Sequence, residues 1–134
     1  MNQEFIKKIE TLLNRHSKIQ LGIIYGSFAS GREGVLSDID LAIGGYEAFT
    51  LEQREEISSE VELEFNREVD LVDLYDASGP ILTEIIASGV QVLVKDSDLL
   101  ARILSRMVTD EEDFQRQRRL AAQGIRDEVF NVKK

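Results

Sequence analysis

The spacing of apolar residues near the amino terminus predicts a helix followed by a strand. The helix is predicted from residues that recur at helical spacing behind a cap at Asn2, namely Phe5, Ile9, Leu12, Leu13 and His16. Residues 19 to 25 (IQLGIIY) are apolar and rich in β-branched side chains, which favours a strand. This strand should stop at Gly26 and Ser27, where a run of small residues begins a turn.

The middle of the chain alternates strands and helices. Residues 38 to 43 (DIDLAI) alternate acidic and apolar side chains, the period of a strand with one wet and one buried face. Thr50 and Gln53 form a capping-box pattern ahead of apolar residues at helical spacing, which predicts a helix over residues 50 to 66. Residues 69 to 75 (VDLVDLY) then predict another strand.

A short helix and a short strand complete the predicted sheet. The helix opens at Ser78, Gly79 and Pro80 and runs through Ala87, with the proline in the first turn, where its missing N–H costs little. The strand covers residues 90 to 94 (VQVLV). This order of elements predicts an α+β domain, a small mixed sheet flanked by helices.

The last part of the chain is predicted to be helical. Helix-forming residues dominate from Ser97 to Phe130, and Thr109 with Glu112 matches a second capping box. The segment is therefore one long helix or two helices in series. Four apolar residues near its start should pack on the domain: Leu100, Ile103, Leu104 and Met107. A second set recurs at roughly helical spacing, as in helices that dock on another protein: Phe114, Ala121, Ile125 and Val129.

Composition narrows the functional classes. A chain of 134 residues with 43% hydrophobic and 31% charged side chains is expected to fold as one domain. The formal charge of −9 disfavours a long nucleic-acid substrate, because phosphate binding would work against overall repulsion. The sequence has no cysteine, which excludes disulfides and thiolate metal sites. With no signal-like start and no long apolar run, we expect a cytoplasmic protein with no membrane contact.

The most informative motif is Gly26-Ser27, ten intervening residues, and then Asp38-Ile39-Asp40. Asp38 and Asp40 project from the same side of their strand, so two repelling carboxylates are held together. A divalent cation between them relieves that repulsion, and oxygen ligands suit Mg²⁺. Gly26 permits close approach of the backbone to a ligand, and Ser27 offers a hydroxyl and N–H groups to a phosphate.

A second metal ion would require a third acid, and the strand VDLVDLY offers Asp70 or Asp73. These two lie on opposite faces of the strand because they are three residues apart, so only one can join the cluster. We prefer Asp70, which lies nearer the start of its strand, at a depth that matches Asp38.

These motifs resemble the DNA polymerase beta nucleotidyltransferase superfamily, in particular its minimal (MNT) branch, over most of residues 20 to 94. The resemblance implies a nucleotidyltransferase domain over residues 1 to 96, followed by a helical extension over residues 97 to 134. It also implies that ATP is the substrate and that Asp38, Asp40 and Asp70 bind Mg²⁺, with two ions expected. Gly26 and Ser27 would contact the nucleotide, and we add Ser37 to that set.

Many MNT proteins resemble the antitoxin of HEPN/MNT toxin–antitoxin pairs. In these pairs the antitoxin adenylylates a tyrosine of its partner, a HEPN ribonuclease, and the helical end of the present chain looks like the corresponding antitoxin region. This resemblance implies an antitoxin enzyme in a hetero-oligomer with a HEPN-family toxin. Relatives often carry an arginine before the second glycine of the loop, whereas this chain has Ser30 and Gly31 followed by Arg32. The identity of any basic contact to the triphosphate therefore stays open: Arg32 and Arg67 are candidates, and each is also interpreted as an ordinary surface charge.

Two other functions also accommodate the motif. One is the catalytic subunit of a two-component nucleotidyltransferase that acts on a small molecule, with a separate helical protein building the acceptor site. The other is an antitoxin that only binds its toxin. The intact acids favour an enzyme, because a cluster of repelling carboxylates has no evident structural purpose.

Overall fold

The computed structural model describes residues 2–31 and 38–122. Nine elements follow one another in this part of the chain: α1 (Gln3–Asn14), β1 (Leu21–Tyr25), α2 (Gly26–Ser30), β2 (Ile39–Gly44), α3 (Leu51–Phe65), β3 (Val69–Asp73), α4 (Pro80–Ser88), β4 (Val90–Val94) and α5 (Ser97–Ala122). Apart from α2 and the end of α5, each was predicted from the sequence within a few residues of its bounds; the helix was predicted to run to Phe130, and residues 123–134 lie outside the described residues.

The four strands form one mixed sheet in the order β3-β2-β1-β4. β1 is antiparallel to both β2 and β4, whereas β2 and β3 run parallel. The parallel pair requires a crossover, and α3 supplies it. The predicted fold class, α+β with a small mixed sheet flanked by helices, is confirmed.

Helices cover both faces of the sheet, which produces two core clusters. The first cluster lies between the sheet and the helices α1 and α3, and includes Ile39, Leu41 and Ile43, all fully buried. The second cluster lies between the sheet and the helices α4 and α5, and includes Tyr25 and Ala42. Alternation along β2 therefore sends Asp40, like Ala42, toward the α4 face.

Three helices begin as the sequence predicts. The side chain of Asn2 accepts a hydrogen bond of 2.8 Å from the backbone N–H of Phe5 at the start of α1. At α3 both halves of the capping box are present, with Thr50 and Gln53 each accepting from the other's backbone N–H. Pro80 occupies the first turn of α4. The caps of α1 and α3 satisfy backbone donors that have no partner within the helix, and the proline of α4 has no N–H that would need one.

The one-turn helix α2 was predicted only as a turn that could begin a helix. It follows β1 directly and ends at Gly31, whose φ of 75° suits a glycine. Its side chain Phe28 is buried, stacks on Phe5 with ring centroids 5.2 Å apart, and carries the Arg67 guanidinium 5.0 Å above its ring. These contacts with distant segments stabilise the turn as a helix, and a local sequence pattern does not contain them.

α5 is a single helix over the described residues, so of the two alternatives that the sequence left open the single helix is found, and no second helix begins at Thr109. The Thr109 hydroxyl donates to the carbonyl of Ser105 inside the helix instead of capping a new one. The cap of α5 is Asp96, whose carboxylate accepts from the backbone N–H groups of Asp98 and Leu99. No helix in the described ranges is long and apolar enough to cross a membrane.

The start of α5 is anchored on the second core cluster. Leu99 and Ile103 are buried there, with Leu100 and Met107 packed beside them. Leu104 is 37% exposed, so the expectation that it packs on the domain is wrong, because the helix turns Leu99 inward instead. The second apolar set is not described. The structure gives no side-chain environment for Phe114 and Ala121, and Ile125 and Val129 lie outside the described residues.

Candidate active site

Three residues on neighbouring strands form a line across the sheet. Tyr25 at the end of β1 pairs with Asp40 of β2, which in turn pairs with Asp70 of β3. Residues paired across strands point to the same face, so these side chains lie side by side on the α4 face. We call Tyr25, Asp40 and Asp70 the cross-strand row. The row lies at one end of the sheet, where β1 ends and where β2 and β3 begin.

Asp38 brings a third carboxylate to this row. It lies one residue before β2 and is exposed, and its spacing from Asp40 puts both on the same side of the chain. Partial burial raises the pKa of the Asp40 carboxyl, and the negative charges of Asp70, Asp38 and Glu84 raise it further. The three acids predicted from the sequence therefore surround one another closely enough to interact.

Glu84 and Tyr25 are site neighbours that the sequence reasoning missed. Burial raises the pKa of the Tyr25 hydroxyl, and the charges of Asp70, Asp40 and Glu84 add to the effect. Tyr25 carried a partial signal, because it ends the strand just before the Gly26-Ser27 motif, but its pairing with Asp40 depends on the strand order. Glu84 carried none, since its proximity depends on how α4 packs against the sheet.

Asp73 is buried, and its carboxylate is held by hydrogen bonds to the backbone. It is only 8% exposed, and its carboxylate accepts hydrogen bonds from the backbone N–H groups of Phe49 at 2.8 Å and Tyr75 at 2.9 Å. It pairs with Ile43, deep in the sheet. These bonds fasten the loop before α3 to the end of β3. Of the two candidates for a third acid, the geometry brings Asp70 to Asp40 and keeps Asp73 away.

Gly26 lies directly against Asp40. A Cβ built on Gly26 would collide with the Oδ2 atom of Asp40, and its φ of 71° is strained for other residues. A close approach of backbone to ligand was predicted at Gly26, and the group that lies there in the structure is the Asp40 carboxylate. Ser27 follows in the first turn of α2.

Of the other residues considered for the site, only some lie within the described part of the chain. Ser37, predicted as a nucleotide contact, lies outside the described residues, as does Arg32. Arg67 is described and stays beside α2 through its contact with the Phe28 ring. His16 pairs with Glu60 on α3 at 3.0 Å, in accord with a packing role.

The donor set fits a hard divalent cation. Carboxylate oxygens are the ligands that Mg²⁺ prefers, and a cation would relieve the repulsion that raises the pKa of Asp40. Among the residues that the structure describes, no three acidic or histidine side chains already converge to enclose an ion. Asp38 and Asp70 are exposed, so their side chains are free to turn toward an ion beside Asp40.

Residues 7–98 match the family model described as Polymerase beta, Nucleotidyltransferase. The chain belongs to this family and is a nucleotidyltransferase, as the motif predicted. Within the family it is similar to the protein adenylyltransferase MntA of Shewanella oneidensis, with 30% identity over 97 residues that make up 71% of this chain and 70% of that protein.

Two solved structures extend the similarity beyond the family domain. A toxin–antitoxin structure with AMP-PNP matches with a TM-score of 0.67 and 27% identity, covering 97% of this chain and 99% of its counterpart. A tri-AMPylated HEPN toxin of Shewanella oneidensis in complex with its MNT antitoxin matches with a TM-score of 0.72, 25% identity and the same coverage of 97% and 99%. The resemblance to MNT antitoxins predicted from the sequence is confirmed.

Proposed function

We propose that this protein is an antitoxin that transfers AMP from ATP to a tyrosine hydroxyl of a partner HEPN ribonuclease and thereby neutralises it. The observation that carries the proposal is the cluster of Asp38, Asp40 and Asp70 at one end of the sheet. The similarity to the protein adenylyltransferase MntA, and to an MNT antitoxin in complex with a tri-AMPylated HEPN toxin, supports the acceptor.

The chemistry requires bond exchange at the α-phosphorus of ATP. The acceptor oxygen attacks this atom in line, a new P–O bond forms, the bond to pyrophosphate breaks, and the acceptor proton passes to solvent water. Asp38, Asp40 and Asp70 would hold two Mg²⁺ ions, which supply charge stabilisation at the attacking and leaving oxygens when bound. Gly26, Ser27 and Ser37 are the proposed nucleotide contacts. Since ATP is the donor, we propose that the reaction takes place in the cytoplasm.

The partner is proposed to dock on the outer face of α5. Leu104 and Val108 lie one helical turn apart and are 37% and 51% exposed. Two aliphatic residues one turn apart on an exposed helix face are typical of a surface that packs against another helix.

The direct test uses the HEPN protein encoded beside this chain. We expect ATP and MgCl₂ to raise the mass of that protein by whole AMP units, at a tyrosine, only when this chain is present. Tyrosine-to-phenylalanine replacement at the modified position should abolish the gain. An unmodified HEPN protein that is nevertheless inhibited would indicate a purely binding antitoxin. An unmodified and still active one would favour a small-molecule acceptor.

A further inference from the structure

Tyr25 is the member of the cross-strand row that the proposed chemistry leaves without a role. It is the last residue of β1 and pairs directly with Asp40, with Asp70 one strand further. A tyrosine ring is long enough to extend along a sheet face past its immediate neighbour. Strand register therefore places the Tyr25 side chain beside Asp40, with Asp70 next in line on the far side of Asp40.

The two ends of the Tyr25 side chain meet different surroundings. The residue is only 4% exposed and belongs to the second core cluster, together with Leu82 and Ile85 of α4. Its hydroxyl feels the charges of Asp70, Asp40 and Glu84, which places the polar end among the acids. This division suits tyrosine, whose ring is apolar and whose hydroxyl needs a partner when buried.

A hydroxyl at this position can donate a hydrogen bond to a carboxylate, which another ionised acid cannot do. Ionised carboxylates only accept hydrogen bonds, whereas a phenol with an ordinary pKa of about 10 is a donor at neutral pH. A bond from Tyr25 would fix one carboxylate oxygen and leave the others facing the ion. Groups that hydrogen-bond the ligands of a metal commonly orient those ligands and strengthen binding.

We propose that Tyr25 is a positioning residue, whose hydroxyl donates a hydrogen bond to the Asp40 and Asp70 pair and holds these carboxylates ready for the metal. The proposal rests on the proposed function, because it takes these acids as the metal ligands. It assigns Tyr25 no contact with ATP or with the acceptor.

The test is metal binding by Tyr25→Phe, which keeps the ring and removes only the hydroxyl. Titration of the protein with Mn²⁺ alone, followed by electron paramagnetic resonance, should give a dissociation constant raised by about 10-fold, the lower end of the range for such groups. The Mg²⁺ concentration for half-maximal transfer should rise in parallel. Tyr75→Phe, which removes the hydroxyl of an exposed tyrosine, should change neither value.

A second control separates positioning from packing. Leu82→Val weakens the same core cluster but keeps the Tyr25 hydroxyl, so it should lower the melting temperature without changing Mn²⁺ affinity. Unchanged affinity in Tyr25→Phe, or an equal loss in Leu82→Val, would overturn the inference. Asp40→Asn tells the two levels apart. If Asp40→Asn binds Mn²⁺ like wild type, the proposed metal site is wrong. If Asp40→Asn loses Mn²⁺ affinity while Tyr25→Phe keeps it, only the role of Tyr25 is wrong.

Discussion

Asp40 is the residue on which the site converges, and its ionisation works against the fold. Because its pKa is raised in the folded protein by burial and by Asp70, Asp38 and Glu84, the ionised carboxylate destabilises the native state. This penalty is present above the folded pKa and disappears below the unfolded value of about 3.9. The proposed site therefore trades stability for metal affinity.

Asp40→Asn removes this penalty, so the metal-free variant should melt at a higher temperature than wild type at pH 7. The difference should shrink as the pH falls and should vanish once Asp40 is protonated in both states, below about pH 3.9. Thermal unfolding in EDTA across this pH range measures it. A variant that is less stable than wild type at pH 7 would show that favourable contacts of the Asp40 carboxylate outweigh its burial and repulsion.

Asp73 should behave in the opposite way, because its carboxylate satisfies two buried backbone donors. Asp73→Ala leaves the N–H groups of Phe49 and Tyr75 unpaired and should cost about 2–3 kcal/mol of unfolding free energy. Urea denaturation measures this cost. Full stability in Asp73→Ala would contradict a structural role, and a selective loss of metal binding would make Asp73 the third acid.

Gly26 and Ser27 should differ in their effect on ATP binding. Ser27→Ala should weaken binding by about 0.5–1.5 kcal/mol, the worth of one hydrogen bond. Gly26→Ala should weaken it more, because the new methyl group collides with Asp40. The matched control is Gly79→Ala, with a similar φ of 68° but open space around the added Cβ. Calorimetric titration giving Gly26→Ala the affinity of Gly79→Ala would remove the loop from the site.

At the scale of elements, one sequence pattern had two outcomes. Thr50 with Gln53 and Thr109 with Glu112 both match a capping box, but only the first caps a helix. Thr50 has an extended backbone with ψ of 162°, so its side chain can accept a hydrogen bond from the backbone N–H of Gln53 in the first turn of the helix. Around Thr109 the helix continues and satisfies those groups itself. Local patterns predict where a helix can start, and the neighbouring turns decide whether it does.

The docking surface proposed on α5 is testable by charge. Leu104→Glu and Val108→Lys add charges to exposed positions, so the fold and ATP binding should be unchanged while affinity for the HEPN partner falls at least 10-fold. Leu63→Glu is the matched control, since Leu63 is an 85% exposed leucine on α3. Surface plasmon resonance with the HEPN protein gives the affinities. Equal affinities in all three variants would place the interface elsewhere.

At the scale of the whole molecule, most of the fold and the core of the candidate site follow from periodicity. The period of two in DIDLAI and VDLVDLY predicted which faces carry Asp38, Asp40 and Asp70, because strand geometry is local. Strand order is not local, so the sequence did not reveal that Asp40 pairs with both Tyr25 and Asp70. The same limit hid Glu84, which only the packing of α4 brings near.

The measurement that tests the account most directly is AMP transfer to the HEPN partner by acid-to-amide variants. Asp40→Asn and Asp70→Asn should each lower the transfer rate by at least 100-fold, because each removes a carboxylate proposed to bind metal. Asp76→Asn, an exposed aspartate beyond the end of β3, should transfer AMP like wild type. If Asp40→Asn and Asp70→Asn remain as active as Asp76→Asn, the cluster at the end of the sheet is not the catalytic centre.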